Sequence, residues 1–84
     1  MRLEFHGEGW DQYQHRVEND RAMLRKLNRL IMECQRHPFE GAGKPEPLKR
    51  DSSGHRSRRI DREHRLVYRV EDEALIIAQY RYHY

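Results

Sequence analysis

Glu46, Arg65 and His83 are the residues of this chain whose types could together act on a phosphodiester. Metal-independent cleavage of RNA needs a base to take the proton from the ribose 2′-OH and an acid to protonate the departing 5′-oxygen. It also needs cationic donors for the charge that gathers on the phosphorane. A glutamate can be that base, a histidine that acid, and an arginine offers a planar fork to two phosphate oxygens. Glu46 stands between Pro45 and Pro47, with Lys44 and Lys49 on either side. Pro47 biases the glutamate to extended geometry and Pro45 has a fixed φ, so the carboxylate is carried on stiff backbone, as placement for chemistry requires. The plainer reading of such a residue is a solvated loop glutamate. His6, His15, His37, His55 and His64 are scattered without zinc spacing, and no cysteine pair accompanies them, so neither metal nor cofactor is expected. Gly43-Lys44 is not a phosphate-binding loop: the upstream glycine spacing is wrong, and Pro45 stands where Ser or Thr should follow. On residue types alone, nucleic-acid binding is the expectation, and cleavage is one chemistry the set would support.

Charge placement points the same way. Residues 1–43 carry 7 basic and 7 acidic side chains, residues 44–69 carry 9 against 4, and residues 70–84 carry 1 against 3. The net charge of +3 therefore belongs to one central segment, which suits a polyanion, RNA or DNA. A charge run is more often just a solvated face, so charge alone does not decide the matter. Lys44, Lys49, Arg59, Arg69 and Arg81 are the candidates for holding phosphates. With 37% charged and 36% hydrophobic residues the chain is polar, yet its apolar residues fall in periodic blocks, which marks a folded domain spanning 1–84. The longest apolar run is far too short to span a bilayer, and no charged-then-apolar leader precedes the first residues. The lone Cys34 reads as a small core residue in a reducing cytoplasm.

The elements that must position these residues follow from periodicity. Arg2 to His6 alternates, with Leu3 and Phe5 on one side, and predicts a first strand. Trp10, Tyr13 and Val17 recur at helical spacing and predict a short helix over Glu8 to Glu18 with these residues in the core. Asn19 or Asp20 can cap a second helix whose stripe is Met23, Leu24, Leu27, Leu30, Ile31 and Cys34; Pro38 ends it. Residues 38–49 read as a loop and Ser52-Ser53-Gly54 as a turn. His55 to Ile60 is too polar for a buried strand and predicts one with a basic outer face. His64 to Val70 and Ala74 to Tyr80 predict a hairpin around Glu71-Asp72-Glu73. The expected fold class is α+β: an antiparallel sheet in the order β-α-α-β-β-β, with both helices on one face and Arg59, Arg65 and Arg69 on the other. The hairpin register decides which side chains share a face. A two-residue turn at Asp72-Glu73 puts Arg65 on a face with Tyr80 and Tyr82 and points His83 the other way. A three-residue turn, or an equivalent bulge, instead gathers Arg65, Arg69, Gln79, Arg81 and His83 on one face and turns Leu66, Tyr68, Val70, Ile76 and Tyr80 to the helices. It is the favoured arrangement because it separates apolar from basic residues best.

Four blocks carry a family resemblance: Gly41-x-Gly43-Lys44-Pro45-Glu46-Pro47-Leu48-Lys49, then Ser53-Gly54 with Ser57-Arg58-Arg59-Ile60, then His64-Arg65-Leu66-Val67-Tyr68, then Arg81-Tyr82-His83-Tyr84. With Trp10-Asp11-x-Tyr13 and Arg36-x-Pro38-Phe39-Glu40-Gly41 they span essentially the whole chain, in order. The sequence resembles the YoeB-type toxins of bacterial toxin–antitoxin systems, within the RelE/ParE superfamily. The resemblance implies an mRNA interferase that enters the ribosomal A site and leaves 2′,3′-cyclic phosphate and 5′-OH ends. It puts the family's base on Glu46, its acid on His83 and its phosphate-binding arginine on Arg65. The functional terminal tyrosine matches Tyr84, and the supporting basic residues match Lys49 and Arg59. It also implies a cognate YefM-type antitoxin as partner. This chain departs from the pattern in carrying His55-Arg56 after the Ser-Gly turn, and His15-Arg16, where the family often has aromatics; homodimerisation and codon preference are thereby left open. The rival readings are a ParE-like gyrase inhibitor that shares the fold and a passive RNA-binding module.

Overall fold

The computed structural model describes residues 1–41, 45–47 and 54–79, with Gln79 described by its backbone alone. In chain order the elements are β1 (Arg2–Phe5), α1 (Glu8–Asn19), α2 (Arg21–Arg36), β2 (Glu46–Pro47), β3 (Arg56–Arg59), β4 (Arg65–Glu71) and β5 (Ala74–Gln79). Asp20 starts α2, its Oδ1 accepting the Met23 amide at 3.0 Å, and His37, ahead of Pro38, ends it. The stripe that spacing predicts is the buried one: Leu27, Leu30, Ile31 and Cys34 pack on Leu66, Tyr68, Leu75 and Ile77. Each large apolar side chain so buried stabilises by about 1.5–3 kcal/mol, against about 1 kcal/mol for the cap, so packing rather than capping holds α2 in place.

The sheet runs β1-β5-β4-β3-β2. Its class is the one expected, but it is mixed rather than all antiparallel, because β1 lies parallel to β5 with Arg2 opposite Ala74 and Phe5 opposite Ile77. The antiparallel meander β3-β4-β5 leaves one edge of β5 open. β1 covers that edge in the direction set by Gly7, whose φ of 54° turns the chain into α1. β2 adds a two-residue strand at the far edge, from within the expected loop.

Three further expectations need correcting. Trp10 and Val17 are 48% and 46% exposed; the residues α1 buries are Gly9 and Gln12, while Tyr13 packs at the margin of the core. A Cβ on Gly9 would lie 2.6 Å from the Ile77 carbonyl oxygen, so the helix sits directly on the β5 backbone, and that close approach rolls Trp10 outward against Phe5. Second, β3 is more deeply buried than its polarity predicts: Ser57 and Arg58 are 2% and 0% exposed. Third, the hairpin turns in two residues, Asp72 and Glu73, both left-handed at φ 51° and 61° as a tight primed turn requires. The phase is then corrected by a bulge between the Tyr68–Ile77 and Val67–Gln79 pairs. Leu75 and Ile77 therefore face the helices, and Ile76, expected there, lies opposite with Arg69. Tyr80 and Tyr82 lie outside the described residues.

Candidate functional site

The face of the sheet away from the helices carries the site. Pairing puts Glu46, Ser57 and Val67 in one row across β2, β3 and β4, with Arg59 and Arg65 paired in the next. Arg65 reaches diagonally over that row. Its Nε donates to Ser57 Oγ at 3.0 Å, and its Nη2 donates to Glu46 Oε1, also at 3.0 Å. The guanidinium is largely covered, at 16% exposed, while Glu46 remains 62% exposed. An ion pair with so open a partner adds at most about 1 kcal/mol of stability. Its effect is geometric: a planar fork is fixed at two of its nitrogens. Among the described residues Nη1 has no partner, so the fork keeps donors for an anion.

The neighbouring cations differ. Arg59 is exposed beside Arg65, with no ion-pair partner among the described residues. Arg69 is on the same face but is paired with Glu71, which neutralises part of its charge. Lys44, Lys49, Arg81, His83 and Tyr84 lie outside the described residues. The structure thus brings Glu46, Arg59 and Arg65 together and sets Arg69 to one side with a partner of its own.

The entry to β4 is fixed just before Arg65. Asp61 Oδ1 accepts the Glu63 and His64 amides at 2.9 and 2.8 Å, and the His64 ring Nδ1 lies 3.0 Å away. Burial works to raise the Asp61 carboxyl, but these hydrogen bonds and the His64 ring outweigh it and hold the group below the ordinary carboxylate value. The far edge of the His64 ring faces Arg16 at 3.5 Å, and Arg16 also bridges to Asp20 at 3.1 Å. Arg16 is thereby absorbed into a network tying α1 to this turn.

Sequence reasoning missed Ser57, Arg58 and Tyr68. Alternation along β3 offered a signal for Ser57, since it must share a face with Arg59. Arg58 and Tyr68 point the other way, into the core. The Arg58 guanidinium donates to the Tyr68 hydroxyl at 3.3 Å, to the Glu40 carbonyl at 2.7 Å and to the His37 carbonyl; Tyr68 donates to the Pro38 carbonyl at 2.5 Å. Burial pushes the Tyr68 hydroxyl up to about 12 and the Cys34 thiol beside this group up to about 11, each partly offset by Arg58.

The comparisons with known proteins agree with this fold. A family described as the YoeB-like toxin of bacterial type II toxin–antitoxin system matches residues 5–84. A Streptomyces coelicolor protein called Toxin YoeB is 55% identical over the full length of both chains. Among solved structures, a YoeB/ParE toxin from Agrobacterium tumefaciens superposes with a TM-score of 0.92 at 46% identity, covering all of both chains. A YoeB dimer from Staphylococcus aureus gives 0.91 at 41% identity, and a YoeB–YefM complex from the same organism 0.89 at 40%; each covers 100% of this chain and 98% of the other. A match this long in sequence and this close in backbone places the chain in the YoeB-like toxin family of bacterial type II toxin–antitoxin systems.

Proposed function

We propose that this toxin is a ribosome-dependent endoribonuclease that cuts mRNA in the A site and so stops translation. The observation that carries the reading is Arg65 clamped between Ser57 and Glu46 on the open, basic face of the sheet. Glu46 takes the proton from the 2′-OH, and the freed 2′-oxygen attacks the phosphorus. The P–O5′ bond breaks as His83 gives its proton to the 5′-oxygen, leaving a 2′,3′-cyclic phosphate and a 5′-OH. Arg65 holds the charge that collects on the phosphorane, and Tyr84 completes the catalytic set. Lys44, Lys49, Arg59, Arg69 and Arg81 hold the RNA backbone, Arg69 after exchanging Glu71 for phosphate. The proposed partners are the message, the ribosome, a cognate YefM-type antitoxin and, as in the Staphylococcus aureus dimer, a second copy. A cytoplasmic location follows from that target.

The test is an in vitro translation reaction with purified toxin, read by primer extension on the message and by chemical analysis of the new 3′ ends. Cuts within the A-site codon, ending in cyclic phosphate, lost in His83→Ala and slowed by orders of magnitude to a measurable residual rate in Glu46→Gln, are expected. An intact message overturns the reading, and inhibition of gyrase supercoiling by the same preparation would replace it with a ParE-like one.

A further inference from the structure

Glu46 is poorly held by its own surroundings. Its strand is two residues long, with one pair on each residue, too short a ladder to fix a side chain. Its ion pair with Arg65 faces solvent. A general base displaced by about an ångström loses up to about a hundredfold in rate, so something beyond β2 must set its position.

The chain entering from α2 is where the hold lies. β3 sends alternate side chains to opposite faces: Ser57 toward Glu46 and Arg65, Arg58 toward the segment upstream of Glu46. There the fully buried Arg58 and Tyr68 take up three carbonyls of the turn that follows α2, those of His37, Pro38 and Glu40. From the outside the Arg56 guanidinium stacks 4.7 Å above the Phe39 ring. Next to them Gly41, at φ 102°, packs so closely that a Cβ would lie 2.6 Å from Glu33 Oε1. A buried guanidinium needs its donors satisfied, and here two of its acceptors are backbone carbonyls of the segment it restrains. An apolar residue would fill the same core volume without tying that backbone down.

We infer that Arg58 and Tyr68 are positioning residues for Glu46, clamping the segment that delivers it to Arg65. This rests on Glu46 being the base. Arg58, half of the clamp, belongs to β3, whose Ser57 also holds Arg65, so one strand bears on both the base and the phosphate-binding arginine.

The test uses Tyr68→Phe, which keeps the ring in the core and removes the hydroxyl. Hydrogen exchange at the amides of residues 39–41 and 46 is expected to accelerate by about tenfold or more, with the amides of β4 and β5 unchanged. Cleavage on programmed ribosomes is expected to lose about tenfold in kcat with KM within about twofold. In a Glu46→Gln background the same substitution adds no further loss, because it acts through the residue already removed. Equal losses in both backgrounds, or a loosened segment with unchanged kcat, overturn the inference. Should Tyr68→Phe fail to fold, Arg56→Gln loosens Phe39 from an accessible position and must lower kcat in the same Glu46-dependent way. A wild-type protein that cleaves nothing faults the reaction proposed above, while the exchange experiment still decides whether the clamp exists.

Discussion

Replacing Arg65 by lysine would keep the charge and lose the fork. A single ammonium cannot satisfy Ser57 Oγ and Glu46 Oε1 and also present a donor in plane to a phosphate. Arg65→Lys is expected to cut cleavage by about a hundredfold or more while lowering the unfolding free energy by less than about 1 kcal/mol, since the ion pair it disturbs is half exposed. Parallel cleavage assays and urea melts check both halves. At this scale the sequence was informative where chemistry depends on local pattern. Glu46 announced itself by its two prolines and Arg65 by alternation in its strand. Arg58 gave no such signal, because a buried arginine is explained only by acceptors elsewhere in the chain. The carbonyls of His37 and Glu40 are 21 and 18 residues away, and nothing in Ser57-Arg58-Arg59 announces them.

Among the elements, α2 was readable almost to the residue, since a long apolar stripe between a capping aspartate and a proline leaves little freedom. The first helix was located correctly and rotated wrongly. Its aromatic stripe suggested the buried side, but Gly9 permits a backbone approach that no larger residue does, and packing followed the glycine. Gly9→Ala is therefore expected to destabilise the fold by about 1–2 kcal/mol even though alanine is the better helix former. The clash is with the carbonyl of Ile77, which cannot step aside as a side chain would. Urea unfolding measures it, and a midpoint at or above wild type would show that α1 is free to lift. The hairpin was read in part: the bulge offered as an alternative is present, but the turn is shorter than favoured and Ile76 faces away from the helices. Asp72 and Glu73 adopt left-handed backbone without a glycine to advertise it, and the bulge that restores the phase falls at an unremarkable point in an apolar run.

For the molecule as a whole, the buried polar group under the sheet sets an alkaline limit. Cys34 ordinarily ionises near 9.0 and Tyr68 near 10.0; folding raises them to about 11 and about 12. Above the unfolded values the unfolded chain binds fewer protons than the folded one, so stability falls as pH rises through this window. The loss should begin at Cys34 and steepen at Tyr68. Urea midpoints taken from about pH 8 to about pH 11 should decline, and Cys34→Ala should flatten the lower part of that decline whatever it does to the midpoint itself. What no local pattern revealed at this scale was the mate of the first strand. β1 and β5 stand at opposite ends of the described chain, and their pairing is decided by which edge the meander leaves open.

That pairing also imposes a schedule on biosynthesis. A chain made from its amino end exposes residues 2–5 first, yet their hydrogen-bonding edge is residues 74–77, so the sheet cannot close until nearly every other element has been translated. Arg65 and Glu46 are likewise assembled only once β3 and β4 have paired. On the function proposed above, a growing chain of this protein cannot cleave a message until late in its own synthesis. The late closure leaves an interval in which an antitoxin can meet the toxin before it is armed.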